Sequence, residues 1–78
     1  MGSQRAATHP ELRSLLTPRQ REVLALIASG GTNYEIAQAL GITLDGVKWH
    51  VREILARLDV DSREAAAAAW RDEQRLPA

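Results

Sequence analysis

The sequence predicts an all-α domain of four helices organised around a central helix-turn-helix. Three observations carry that expectation. Apolar residues recur at helical spacing in successive segments, and no segment alternates like a strand. Capping residues head those segments, at Thr17-Pro18-Arg19-Gln20, at Thr32-Asn33-Tyr34-Glu35 and at Thr43. Glycines punctuate them, at Gly30-Gly31 and at Gly41.

Residues 1–14 show no periodicity and are interrupted by His9-Pro10. They read as a linker or mobile arm. The folded unit is expected over 15–74, with a frayed tail at 75–78. The first helix opens with Thr17 as N-cap, a proline at its first position and a glutamine at its third, which completes a capping box. Val23, Leu24 and Ile27 give it one buried face, and Gly30-Gly31 ends it. Leu16, just before the cap, is placed to pack on the aliphatic stem of Arg21.

The second helix begins with a second capping box, Thr32 with Glu35. Ile36, Ala37 and Leu40 form its inner face, and Gly41 stops it. The third starts after Thr43. Val47, Val51, Ile54, Leu55 and Leu58 give it an apolar stripe before Asp59-Val60 breaks the pattern. A fourth helix starts near Ser62 or Arg63, with Asp61 or Ser62 as cap and Glu64 in the first turn, where the helix dipole favours a negative charge. The alanine run 65–69 favours a helix but offers little apolar bulk. Trp70 is therefore expected to supply much of the packing there.

The second and third helices are joined by Gly41-Ile42, a connection short enough for a helix-turn-helix. Ala37 is small where the two helices come closest. Gly41 sits in the turn, where a positive φ is cheap only for glycine. Val47 faces the core between the helices.

Length and composition bound what such a domain can do. A chain of 78 residues holds one domain with a modest core. It has no cysteine, so disulfides and cysteine-based metal sites are excluded. No apolar run suits a bilayer or a signal peptide. The start Met1-Gly2 matches a myristoylation signal poorly, because Ala6 stands where Ser or Thr is wanted. Formal net charge is zero, unusual for a nucleic-acid binder and consistent with weak non-specific affinity. Lys48 is the only lysine beside nine arginines, which together with abundant alanine suggests GC-rich codons and a high-GC bacterium.

The chemistry of the motif is that of duplex recognition. An α-helix fits the major groove of B-DNA, where base edges show a readable pattern. The outward stripe of the third helix, Asp45, Lys48, Trp49 and Arg52, would face that groove. Helix N-termini offer unpaired N–H groups to phosphate oxygens. Thr32, Asn33 and Tyr34 start one such end, Thr43 and Leu44 another. Nothing resembles a catalytic constellation, a phosphate-cradling glycine loop or a metal site. The chain is expected to be no enzyme and to take no cofactor, metal or small molecule.

Set in order, Leu16 to Leu24, Thr32-Asn33-Tyr34-Glu35-Ile36-Ala37, Leu40-Gly41-Ile42, Val47-Lys48-Trp49-His50-Val51, Ile54-Leu55, Leu58 and Ser62-Arg63 resemble the LuxR-type (GerE-like) effector domain of bacterial transcription regulators. The resemblance spans roughly 15–72. It implies a four-helix, wingless domain that binds double-stranded DNA as a dimer, in the cytoplasm and on the nucleoid. Lys48, Trp49 and Arg52 match the groove-facing positions. Thr43 and the start of the second helix match positions that touch the DNA backbone. The fourth helix matches the dimer contact, placing Ala65, Ala68, Ala69 and Asp72 on its outer side. Three positions depart from the family pattern: Gly46 replaces a common threonine, Tyr34 a common basic residue, and Trp49 is bulky for a base reader.

Plain structural readings stand beside these. The threonines serve as caps whether or not they touch phosphate. His50, beside the core stripe, reads as a structural histidine, and His9 lies in the arm. A second functional reading keeps the fold and assigns it to protein interaction, with RNA polymerase, a sigma factor or another regulator, and with weak or lost DNA binding. Zero net charge, Gly46, Tyr34 and Trp49 motivate it. Charge placement separates the two. Lys48, Arg52, Arg57 and Arg19 or Arg21 gathered on one face would favour DNA, and acids interspersed around Trp49 would favour a protein partner. No sensor or receiver domain is visible, so the chain reads as an excised C-terminal domain or a small stand-alone regulator.

Overall fold

The computed structural model describes residues 12–75. Its helices are α1 (Pro18–Ala28), α2 (Asn33–Leu40), α3 (Leu44–Leu58) and α4 (Arg63–Arg75). A short helical segment at 12–14 precedes them, and no strand occurs among the described residues.

Each helix starts where its cap predicts. Thr17 Oγ1 accepts from Gln20 N at 3.1 Å while Gln20 Oε1 accepts from Thr17 N at 3.0 Å. Thr32 and Glu35 make the same reciprocal pair at 3.1 and 2.9 Å. Thr43 Oγ1 accepts from Gly46 N. For α4 the cap is Ser62 rather than Asp61, since Ser62 Oγ accepts from Ala65 N at 3.0 Å.

Three helices end alike. A residue with positive φ follows the last turn of α1, α2 and α3: Gly30, Gly41 and Asp59. The next N–H then reaches back five residues, from Gly31 to Leu26 O, from Ile42 to Ala37 O and from Val60 to Leu55 O. This is the Schellman closure, which satisfies carbonyls the helix leaves open. Asp59 is the only non-glycine residue among the described residues to adopt it.

The core is small and continuous. Leu24, Ile36, Ile54, Val23 and Val47 are fully buried, so α1, α2 and α3 each contribute. Helix α1 packs on α3 and α4, and α2 packs on α3. Leu40, Val51, Leu55 and Leu58 seal its margin as partly buried residues. Among the described residues Gln20 is the one buried polar side chain, and its Oε1 accepts the capping bond.

Helix α4 docks differently from the expectation that Trp70 would carry its packing. Ala66 and Ala67 are the residues buried in the core, at 1% and 5% exposure, while Trp70 is only partly buried. Small side chains let the α4 backbone approach α1 closely, so the alanine run supplies proximity where it lacks bulk. The Arg13 guanidinium lies 5.9 Å from the Trp70 ring centre, covering its outer side.

The boundary of the expected arm also shifts. Residues 12–14 are helical, and Arg21 Nη1 donates to Arg13 O and Leu16 O at 2.9 and 3.0 Å. Arg57 Nη1 donates to Leu15 O at 3.2 Å. Arg21 of α1 and Arg57 of the distant α3 thus hold the segment before α1, and the second tie is one that residue spacing does not reveal. Leu16 itself is buried, and Arg21 meets it through its carbonyl. At the other end α4 runs through Arg75, one residue into the expected tail. The remainder of the arm, with His9, and the tail 76–78 lie outside the described residues.

Candidate nucleic-acid interface

Helix α3 carries the candidate reading stripe. Asp45, Lys48, Trp49 and Arg52 stand three, four and seven residues apart, the spacing of one helix face, and all four are exposed. Trp49 leaves 51% of its surface uncovered, held edge-on by the His50 ring at 5.2 Å. Lys48 and Arg52 make no ion pair or side-chain hydrogen bond among the described residues, so both head groups are available to a partner. Gly46 lies in the first turn, where a Cβ would stand 3.2 Å from Thr43 Oγ1.

Beside this stripe lies an open notch where the heads of α2 and α3 meet. Thr32, Asn33, Tyr34, Leu44, Lys48 and Arg63 line it. The notch edge is rich in donors. Thr32 and Thr43 use their oxygens as acceptors for capping, which leaves each hydroxyl proton free to donate. Tyr34 Oη accepts from Gln38 Nε2 at 2.9 Å, so its proton is free too. The N–H groups of Asn33 and Tyr34 in the first turn of α2 have no partner among the described residues. Lys48 adds a full positive charge. Donors and a cation gathered at one edge suit an anion whose oxygens only accept.

Spacing did not single out Arg63 as a site residue. Arg63 Nη1 donates to Asn33 Oδ1 at 2.7 Å, and Nη2 donates to Gly31 O at 2.9 Å. One signal points to it in retrospect. An arginine in the first turn of a helix opposes the dipole, so its position calls for a specific partner.

The other basic residues named beforehand do not gather at the stripe. Arg21 and Arg57 are committed to carbonyls before α1, and Arg19 pairs with Glu22 at 3.1 Å. The cationic groups at the interface are therefore Lys48, Arg52 and Arg63, with Asp45 set among them. On α4, Ala68 and Asp72 are exposed, and Ala65 and Ala69 are partly covered. These four lie on the outer side, opposite the buried Ala66 and Ala67. His50 is partly buried, with its Nδ1 enclosed and without a hydrogen-bond partner among the described residues. No helix among the described residues is long and apolar enough to cross a membrane.

The fold and this edge define a helix-turn-helix domain of the kind used by transcription regulators. The family described as bacterial regulatory proteins, luxR family, matches residues 14–69, and the chain belongs to it. Among curated proteins it is similar to the response regulator protein VraR of Staphylococcus aureus strain Mu3, 50% identical over 56 residues. The proteins of that name from Staphylococcus saprophyticus and Staphylococcus epidermidis match to the same extent. The aligned stretch is 72% of this chain and 27% of the relative, so the chain spans about a quarter of those proteins.

Proposed function

We propose that this domain binds double-stranded DNA sequence-specifically as part of a bacterial transcription regulator acting in the cytoplasm. The donor-rich edge at the heads of α2 and α3, flanking the exposed Lys48, Trp49 and Arg52 stripe, carries the reading. The stripe enters the major groove, with Lys48, Trp49, Arg52 and Asp45 against base edges. Thr32, Asn33, Tyr34, Thr43 and Leu44 meet the sugar-phosphate backbone on either side. Phosphate contacts set register, and base contacts set sequence. Two copies paired through Ala65, Ala68, Ala69 and Asp72 would place their α3 helices about 10 base pairs apart on a site of imperfect two-fold symmetry. RNA polymerase is a further partner of the bound dimer.

The test is fluorescence anisotropy with a duplex selected from a random pool, beside a scrambled duplex, at two salt concentrations. Preference for the selected duplex that weakens with salt supports the reading. A second reading rests on the exposure of Tyr34 and Trp49, at 64% and 51%, and on charge placement, since Arg19, Arg21 and Arg57 pair elsewhere and the exposed Asp45 shares the face of Trp49. It makes the same face a docking surface for a protein of the transcription machinery. Absence of binding to both duplexes, at concentrations that enforce a dimer, favours it.

A further inference from the structure

We infer that Arg63 is a positioning residue: it turns the Asn33 amide so that the NH2 group, and not the oxygen, is presented to a DNA phosphate. The inference deepens the DNA-binding reading and rests on it.

A guanidinium has five donors and no acceptor. The atom of Asn33 that faces Arg63 at 2.7 Å must therefore be the amide oxygen. This follows from the chemistry of the pair, whichever way the amide is drawn. With its oxygen turned to Arg63, the side chain of Asn33, which lines the notch, keeps Nδ2 as a double donor. A phosphate oxygen only accepts, so this orientation attracts it and the reverse one repels it. The terminal torsion of an asparagine is broad and roughly two-fold, so an untethered amide samples both orientations. Arg63 removes that choice. Its second bond, to Gly31 O at 2.9 Å, fixes the guanidinium itself. The two bonds span 30 and 32 residues and tie the first residue of α4 to the head of α2.

A direct role and a positioning role differ in how two losses combine. The experiment is a double-mutant cycle in DNA affinity, using the wild type, Arg63→Ala, Asn33→Ala and the double variant on selected and scrambled duplexes. Each single change should weaken both duplexes alike, by about fivefold, a coupling of the size found within one hydrogen-bond network. The double variant should bind within about twofold of either single one, because Arg63 acts through Asn33. Arg63→Lys keeps a donor for Asn33 Oδ1 and should recover part of the loss. Losses that multiply, with no rescue by lysine, overturn the inference. If Arg63→Ala does not fold, Asn33→Asp decides. Its carboxylate still accepts from Arg63 but puts an oxygen where the NH2 stood. It should melt as the wild type does and bind at least as weakly as Asn33→Ala. Binding equal to wild type overturns the inference. A wild-type domain that binds neither duplex overturns the DNA reading itself, and this inference with it.

Discussion

Thr43 Oγ1 accepts from Gly46 N at 2.9 Å, and a Cβ on Gly46 would stand only 3.2 Å from that same oxygen. The cap of the reading helix and its missing side chain are one local arrangement. Removing the hydroxyl with Thr43→Ala should cost about 1 kcal/mol, the usual value of an N-cap. Adding a methyl with Gly46→Ala gains helix propensity, up to about 1 kcal/mol in a helix interior, and less in this first turn. The crowding takes some of it back, because the hydroxyl must move a few tenths of an ångström. The expected result in urea denaturation is a clear loss for Thr43→Ala and a change below about 0.5 kcal/mol for Gly46→Ala, within the range of ordinary surface substitutions. A large loss for Gly46→Ala would mean that the cap cannot yield.

Gly41 and Asp59 close their helices in the same left-handed conformation, with φ of 68° and 57°. They should respond to substitution with opposite signs. Among the described residues nothing beyond its chain neighbours lies within 4 Å of a Cβ built on Gly41, so Gly41→Ala meets backbone strain alone, about 1–2 kcal/mol. Asp59 already bears a side chain there. Asp59→Gly should therefore stabilise by a few tenths of a kcal/mol, the relief of strain being partly offset by a more flexible unfolded chain. Thermal melts of the two variants check this. A destabilised Asp59→Gly would reveal a contact made by the carboxylate.

These local features are the part of the fold that residue order displays. Thr17 with Gln20, Thr32 with Glu35, and Gly41 act within three or four residues, so spacing exposes them. Arg63 with Asn33, Arg57 with Leu15 O, and Arg13 over Trp70 join residues that only tertiary packing brings together. The phase of α4 is not readable within its run of five alanines, where no position differs from its neighbours. It came from the family resemblance, which put Ala65, Ala68, Ala69 and Asp72 outside and so left Ala66 and Ala67 to be buried. The candidate stripe on α3 was legible from helical period and the helix starts beside it from their caps, whereas the place of Arg63 in the notch was not.

Ala37 is 8% exposed and lies on α2, which packs against α3. Leucine there must displace a well-packed neighbour, so Ala37→Leu should cost about 1–3 kcal/mol through overpacking. The domain is small and its margin thin, so such a loss should show as a markedly lower melting temperature. An unaltered melt would mean that the helices of the motif can separate without penalty.

Lys48 and Arg52 are one turn apart on the exposed face of α3, and neither head group is engaged within the described residues. If either reads a base, its replacement by alanine should cost about 1–3 kcal/mol on the selected duplex and much less on a scrambled one. If either meets only phosphate, both duplexes should weaken alike, and the slope of log affinity against log salt should fall by about 1. Arg52 has the better geometry for the first role, since its planar fork can pair with two guanine acceptors. Lys48 borders the notch, where a point charge suits a phosphate. The expected outcome is therefore that both substitutions lower discrimination between the duplexes, and that Lys48→Ala lowers the salt slope as well. Anisotropy titrations over several salt concentrations measure both quantities at once. Two variants that leave both unchanged would move the reading surface off α3.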